Sequence, residues 1–494
     1  MSLIFIAIAW LAGFALLRYL FPSPLRWSMH NVLLLSVGAG VGVGIASCVY
    51  FLALSLAGPN VVVLGLLEGA FLVAAIIFAA RSKSGGTDFS WASGPAVPQY
   101  MTVLFFAALA MAGIFFVTHS TSKPHGEWDA WSIWNLHARF LYRSGTFWKN
   151  AFSSQLGWSH PDYPLLVPGA IAMSWTLARS ESTLAPIALA FLFTFASAGI
   201  VTSTLGILRG KTQAWIGGAL LLATVAFTEI GSMQYADVPL GFYILATVAL
   251  LCLQDRYPTD PRFTILAGLT AGFAAWTKNE GLLFVIVVVA ARAIAMLRFG
   301  ARPALLRQLG GLGAGLALPL AVVAFFKLHF APPNDLTART SGEIIKHLTD
   351  YGRWVTVLVG FADSAWHFGA IVVQGQIEGG FLIPVVLVLV LYWLLMRFHV
   401  DQSDRLPVAT AALTVGLMLL GDFAVYLLLP NDLDWQIQTS LDRILLQLWP
   451  AGLLVFFLAA NVPQLANQPR TKSHEKAKAP KPGPKSQRRA AETS

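Results

Sequence analysis

The sequence predicts an all-α polytopic membrane protein. The 494-residue chain is 56% hydrophobic and only 12% charged, with a mean hydropathy of +0.66. Soluble domains carry about 25% charge. Apolar runs of about 20 residues, the length that crosses a bilayer, recur from end to end. They leave no room for a large soluble domain.

Spans are predicted at 3–20, 31–57, 60–80, 99–119, 183–208, 212–229, 236–254, 262–279, 281–298, 303–329, 379–397, 406–429 and 444–461, about thirteen in all. The first run lacks a basic region before it, and Arg18 lies on its far side. It reads as a retained span with its N-terminus outside, not as a signal peptide. Cys48 and Cys252 both fall in apolar runs and read as buried thiols. No zinc spacing or disulfide framework accompanies them.

Orientation follows from the Lys and Arg residues of the short loops. Arg18 and Arg26, Arg81 and Lys83, Arg209 and Lys211, and Arg256 and Arg262 mark loops expected on the cytoplasmic side. So do Arg298, Arg302 and Arg307, then Arg397 and Arg405. This parity requires two further runs not to cross. The run 164–177 is short and holds Pro164 and Pro168, so a half-inserted helix is expected. The run 355–373 is interrupted by Asp363, His367 and glycines and is expected to stay outside.

Three regions result. Residues 1–98 supply three N-terminal helices, and 99–461 form the main transmembrane module with an external loop at 120–163. Residues 462–494 form a disordered basic tail. From Arg470 onward the tail carries eight Lys or Arg against Glu475 and Glu492, which is six of the net nine positive charges. Its Pro, Lys and Ala content gives it nothing to pack. It is expected to be cytoplasmic and to touch anionic headgroups. Without interleaved aromatics, nucleic acid is not an expected partner. The alanine- and leucine-rich composition suits a bacterial inner membrane.

The external loop concentrates acidic, aromatic and basic residues. Trp131, Trp134, Ala138 and Leu141 form one apolar stripe at helical spacing. Asp129, Ser132, Asn135, Arg139 and Arg143 form a polar stripe opposite. The pattern predicts an interfacial helix with tryptophans at headgroup depth. A plain membrane anchor would explain it. Alternatively, Glu127 and Asp129 are held at membrane level, where a carboxylate can act as a general base toward a hydroxyl. No metal-ligand spacing accompanies them, although either can help bind a divalent cation.

Further polar residues lie at expected external span ends. His160, Asp162 and Tyr163 are presented between Pro161 and Pro164, which restrict the backbone. Asp237 opens a span, where a helix cap is a sufficient explanation. Lys278 and Glu280 lie between two apolar runs with almost no linker, where charges must be paired or used. Arg443 precedes the last span. Its fork suits phosphate oxygens, while pairing with Asp442 is the simpler alternative.

These segments together resemble the GT-C superfamily of integral membrane glycosyltransferases, in particular the bacterial branch related to protein mannosyltransferases and aminoarabinose transferases. The pieces are Glu127 with Asp129, His160-Pro161-Asp162-Tyr163-Pro164, and Tyr235-Ala236-Asp237-Val238-Pro239. The others are AGLTAGFAAWTKNEG (267–281) and TSLDRILLQLWP (439–450). They run in order from about residue 99 to 461. The superfamily's acidic motif is often two adjacent residues, whereas Trp128 separates them here.

The resemblance implies transfer of a sugar from a polyprenyl-phosphate carrier to a glycan, lipid or protein acceptor at the external face, with inversion and no obligatory cofactor. Asp129 or Glu127 would activate the acceptor. Lys278 and Arg443 would stabilise the departing phosphate, His160 and Tyr163 would line the sugar site, and Asp162, Asp237 and Glu280 would belong to the binding site. A lipid-linked sugar flippase or secondary transporter is the alternative, with Asp422 inside a span as its one marker. An envelope-assembly scaffold is a third reading, but it leaves the acidic-aromatic loop unexplained.

Overall fold

The computed structural model describes residues 2–22, 28–81, 97–300, 302–334, 340–369, 371–373, 381–430 and 432–462. Arg26, Lys83 and the predicted tail beyond Val462 lie outside the described residues. The chain through Val462 forms one compact unit.

The fold is helical. The N-terminal helices are α1 (Ser2–Leu20), α2 (Met29–Ala57) and α3 (Val61–Arg81), followed by α4 (Gln99–Ser122). The loop region holds α5 (Asn135–Arg143) and α6 (Leu166–Ala178). Then come α7 (Leu184–Leu208), α8 (Lys211–Ala223), α9 (Val225–Ser232), α10 (Asp237–Arg256), α11 (Arg262–Thr277), α12 (Glu280–Phe299) and α13 (Leu305–His329). The rest are α14 (Ser341–Thr349), α15 (Tyr351–His367), α16 (Val385–Met396), α17 (Arg405–Leu428) and α18 (Leu433–Ala459). Among the described residues the only sheet is an antiparallel pair, Ile371–Val373 against Phe381–Ile383.

Ten of these helices are long and apolar enough to cross a membrane: α1–α4, α7, α10, α12, α13, α17 and α18. The chain is a polytopic α-helical membrane protein. Three predicted spans take other forms. The run 212–229 is broken into α8 and α9, which meet at 59°. Thr224 is extended at the break, and its hydroxyl accepts a hydrogen bond from Trp449 Nε1 at 3.2 Å. The run 262–279 stops at Thr277 because Lys278 turns extended. Among the described residues of the run 379–397 the helix is α16, whose 12 residues reach about 18 Å. The Pro-containing run 164–177 is the 13-residue helix α6, and the run at 355–373 becomes α15.

Helix α10 is the axis of the bundle. Its membrane-length window is completely buried, against α7, α11, α17 and α18. That explains its apolar residues all round. The N-terminal helices are built into the same core. Tyr243 of α10 donates to Gly40 O of α2 at 2.8 Å, and Trp276 Nε1 of α11 donates to Ser47 Oγ of α2 at 3.1 Å. By contrast, α3 and α4 are only 17% buried and leave Leu66, Leu104, Met111 and Ile114 on the outer surface. Such surface is suited to lipid.

Candidate functional site

The chain alternates direction, so the start of α10, the end of α11, the start of α12 and the end of α13 come to one end of the bundle. There Asp237, the first residue of α10, is 0% exposed. A carboxylate so buried must be paired and fully hydrogen-bonded. Its Oδ1 accepts from Lys278 Nζ at 3.1 Å and Gln447 Nε2 at 2.7 Å. Its Oδ2 accepts from Arg443 Nε at 3.1 Å and Nη2 at 2.9 Å. The helix-cap expectation is thereby corrected: Ala236 is the capping position, and the carboxylate turns to the cations instead.

Arg443 and Gln447 reach Asp237 because residues four apart share one helix face and because α10 and α18 approach closely. A Cβ on Gly241 would lie 2.8 Å from the Gln447 carbonyl oxygen, so a side chain there would push α18 away. Arg443 Nη2 also donates to Asp129 Oδ2 at 2.6 Å. The guanidinium therefore bridges two carboxylates, and its face lies 4.6 Å from the Tyr235 ring centroid. Asp442 is exposed, so Arg443 pairs elsewhere than with its sequence neighbour. Burial and the Asp129 charge push the Tyr235 phenol up to about 12.

Lys278, Asn279 and Glu280 form the turn between α11 and α12. Gly281 is required there, because a Cβ would lie 1.9 Å from Ala274 O. Lys278 Nζ meets Glu280 Oε1 at 2.8 Å as well as Asp237. Asn279 points to a second cluster. Its Nδ2 donates to Asp162 Oδ2 at 2.6 Å, and its Oδ1 accepts from Lys327 Nζ at 2.7 Å. Lys327 Nζ also donates to Asp162 O at 2.5 Å.

Tyr163 lies between the two clusters. Its ring stacks on His160 at 4.6 Å and on Trp134 at 5.5 Å, while Lys278 Nζ is 5.9 Å from its centroid. Burial and the Glu280 carboxylate hold its phenol well above the ordinary range. His160 is left-handed at φ 51° and half-buried.

The loop that carries Asp129 departs from its predicted periodicity. Residues Ala130–Trp134 form a π-helix before α5 begins. A π-turn inserts extra residues per turn and shifts the helical phase. Trp134, Ala138 and Leu141 are consequently buried in protein, and so are Ser132 and Asn135 of the expected polar stripe. Of the predicted apolar stripe only Trp131 is exposed, at 41%, with its ring edge-on to the exposed Trp128. Arg139 donates to Glu181 at 2.9 Å, and Arg143 bonds the other oxygen of the same carboxylate. These bonds outweigh the effect of burial and draw the Glu181 carboxyl below its usual range.

The structure thus gathers Asp129, Asp237, Lys278, Glu280 and Arg443 into one ion-paired cluster, with Asp162, Tyr163 and His160 beside it. Glu127 is apart from it: its carboxylate bonds Lys123, four residues earlier. Gln447, Asn279, Lys327 and Trp134 are site residues that sequence reasoning missed. The spacing of Gln447 from Arg443, and the position of Asn279 between two charges, are the signals that could have found two of them. Among the described residues no group of three or more His, Cys, Asp or Glu is arranged to hold a metal ion.

Fold and site define a polytopic membrane protein with a cation–carboxylate cluster and an aromatic stack at one end of its bundle. The chain matches no family model, no curated protein and no solved structure.

Proposed function

We propose that the protein is a GT-C-like glycosyltransferase that moves a sugar from a polyprenyl-phosphate donor to an acceptor hydroxyl at the external face of the membrane. In this reading the chain crosses about thirteen times, its tail is cytoplasmic, and the membrane is a bacterial inner membrane. The observation that supports it most is the Arg443 bridge between Asp129 and Asp237. Asp237 is fixed by four donors, whereas Asp129 is half-buried at the open side of the cluster. A donor phosphate that takes Arg443 Nη2 displaces Asp129 and so frees the base.

The acceptor oxygen then attacks the anomeric carbon, and its proton passes to Asp129. The bond from that carbon to the phosphate oxygen breaks, and the phosphate leaves with the electron pair, stabilised by Arg443 and Lys278. The configuration inverts. Tyr163 and His160 offer a stacked aromatic wall for the sugar. Asp162 supports that wall through Asn279 and Lys327. The decisive test supplies lipid-linked sugar to the purified protein in membranes and measures release of free polyprenyl phosphate. No release with any acceptor overturns the reading.

One observation favours transport instead. Asp422, inside α17, is 3% exposed, and its Oδ2 has no hydrogen-bond partner. An intramembrane acid of this kind suits a translocation path. Transbilayer movement of the lipid-linked sugar without bond cleavage would reverse the assignment.

A further inference from the structure

The opposite end of the bundle carries a second polar cavity. Helix α10 starts at Asp237 and brings Asp255 about 27 Å away, at 1.5 Å per residue. There the C-terminal ends of α7, α10 and α18 and the N-terminal end of α17 enclose about 330 Å³. The polar part of the wall is Arg209, Arg256, Asp255, Asp404 and Ser403.

The charges of this wall are unequally committed. Asp255 is gripped by both terminal nitrogens of Arg292, at 2.8 and 2.5 Å. Arg292 is fully buried and also bonds Gln308 and Thr410, so this pair is neutral and closed. Arg209 is looser. Nη2 donates to Ala460 O at 2.9 Å, Nη1 reaches Asp404 only at 3.4 Å, and Nε is buried without a partner. Arg256 is exposed, and its side chain makes no hydrogen bond or ion pair among the described residues. With Arg292 included, three guanidinium groups face two carboxylates, an excess of one positive charge. Leu208, Pro407 and Leu458 complete the wall with apolar surface.

We propose that this cavity binds a phosphate ester, with Arg209 and Arg256 as its cationic partners. A guanidinium fork matches phosphate oxygens; Arg256 offers an uncommitted fork, and Arg209 Nη1 is held only by the 3.4 Å contact to Asp404. The apolar wall suits the stem of the ester. The ester comes either from an anionic lipid headgroup or from a soluble phosphate. The site is separate from the Asp129 cluster and does not depend on glycosyl transfer.

Native mass spectrometry of the full chain in detergent tests this, with phosphatidylglycerol, phosphatidylcholine and glycerol phosphate as probes. One phosphatidylglycerol should be retained in preference to phosphatidylcholine. Arg256→Gln and Arg209→Gln should each weaken retention about tenfold, the worth of one charge-assisted hydrogen bond. Arg256→Gln removes no internal contact and keeps the test valid if Arg209→Gln unfolds. Competition by glycerol phosphate identifies the phosphate ester itself as sufficient. Retention of phosphatidylglycerol without such competition identifies the lipid as the source. Equal retention by wild type and Arg256→Gln, or no binding of any anionic probe, overturns the proposal.

Discussion

Arg443 grips Asp237 through two nitrogens, at 3.1 and 2.9 Å, from 206 positions away in the chain. The same Nη2 holds Asp129 at 2.6 Å. One guanidinium therefore ties the loop that carries Asp129, the central helix and the last helix together. Its fork geometry explains why a lysine could not replace it: a lysine is a point charge without two parallel donors.

Asp237→Asn should be strongly destabilising. It leaves Lys278 and Arg443 short of their shared counter-charge in a buried site, a change that typically costs about 3–5 kcal/mol. Gln447→Leu removes one hydrogen bond to the same carboxylate and should cost about 1–2 kcal/mol. Thermal unfolding in detergent should rank the two variants in that order.

Asp129→Asn and Glu127→Gln separate the candidate bases. Loss of a general base lowers turnover by about 10²- to 10⁴-fold. Asp129→Asn should show that loss in sugar transfer, with expression and melting temperature largely retained. Glu127 bonds Lys123 rather than the cluster, so Glu127→Gln should retain most of the activity. Full transfer by both variants would remove the base assignment.

His137 gives a pH dependence. It is completely buried, and burial together with the neighbouring His160 draws its imidazole down to about 4. The folded protein keeps it neutral, while the unfolded chain binds a proton near 6.5. Its contribution is therefore intact above about pH 6.5 and declines as pH falls toward 4, by up to about 3 kcal/mol. His137→Phe should flatten that limb of a stability–pH curve. An unchanged slope would show that other groups carry it.

Gly281→Ala tests the turn that carries Lys278 and Glu280. Its Cβ would lie 1.9 Å from a backbone oxygen, so the turn must move, and the geometry of Lys278 and Glu280 with it. Transfer and melting temperature should both fall. Gly310→Ala in α13 meets nothing within 4 Å and should be neutral or stabilising by up to about 1 kcal/mol. If Gly281→Ala behaves like Gly310→Ala, the turn is not under the constraint described.

The spans were legible because length and apolarity suffice to specify them. Broken or shortened ones were not, since Thr224 bends the chain through a partner, Trp449, that lies far away in sequence. Asp237, Lys278 and Arg443 stood out as charges in apolar surroundings, which membranes tolerate only when paired. Their pairing was hidden, because Lys327 finds Asp162 across 165 positions and Gln447 finds Asp237 across 210. The stripe at 131–141 misled for a local reason: the π-helix changes the period on which the stripe was drawn.

The turn from Lys278 to Glu280 gives the site its mechanics. Three consecutive backbone units anchor Asp237 on one side and Asp162 on the other, through Lys278 and Asn279 respectively. They couple the two clusters through one short turn. If the proposed transfer is right, an anion that draws on Lys278 would be felt one residue away at Asn279, the support of Asp162 beside the aromatic stack.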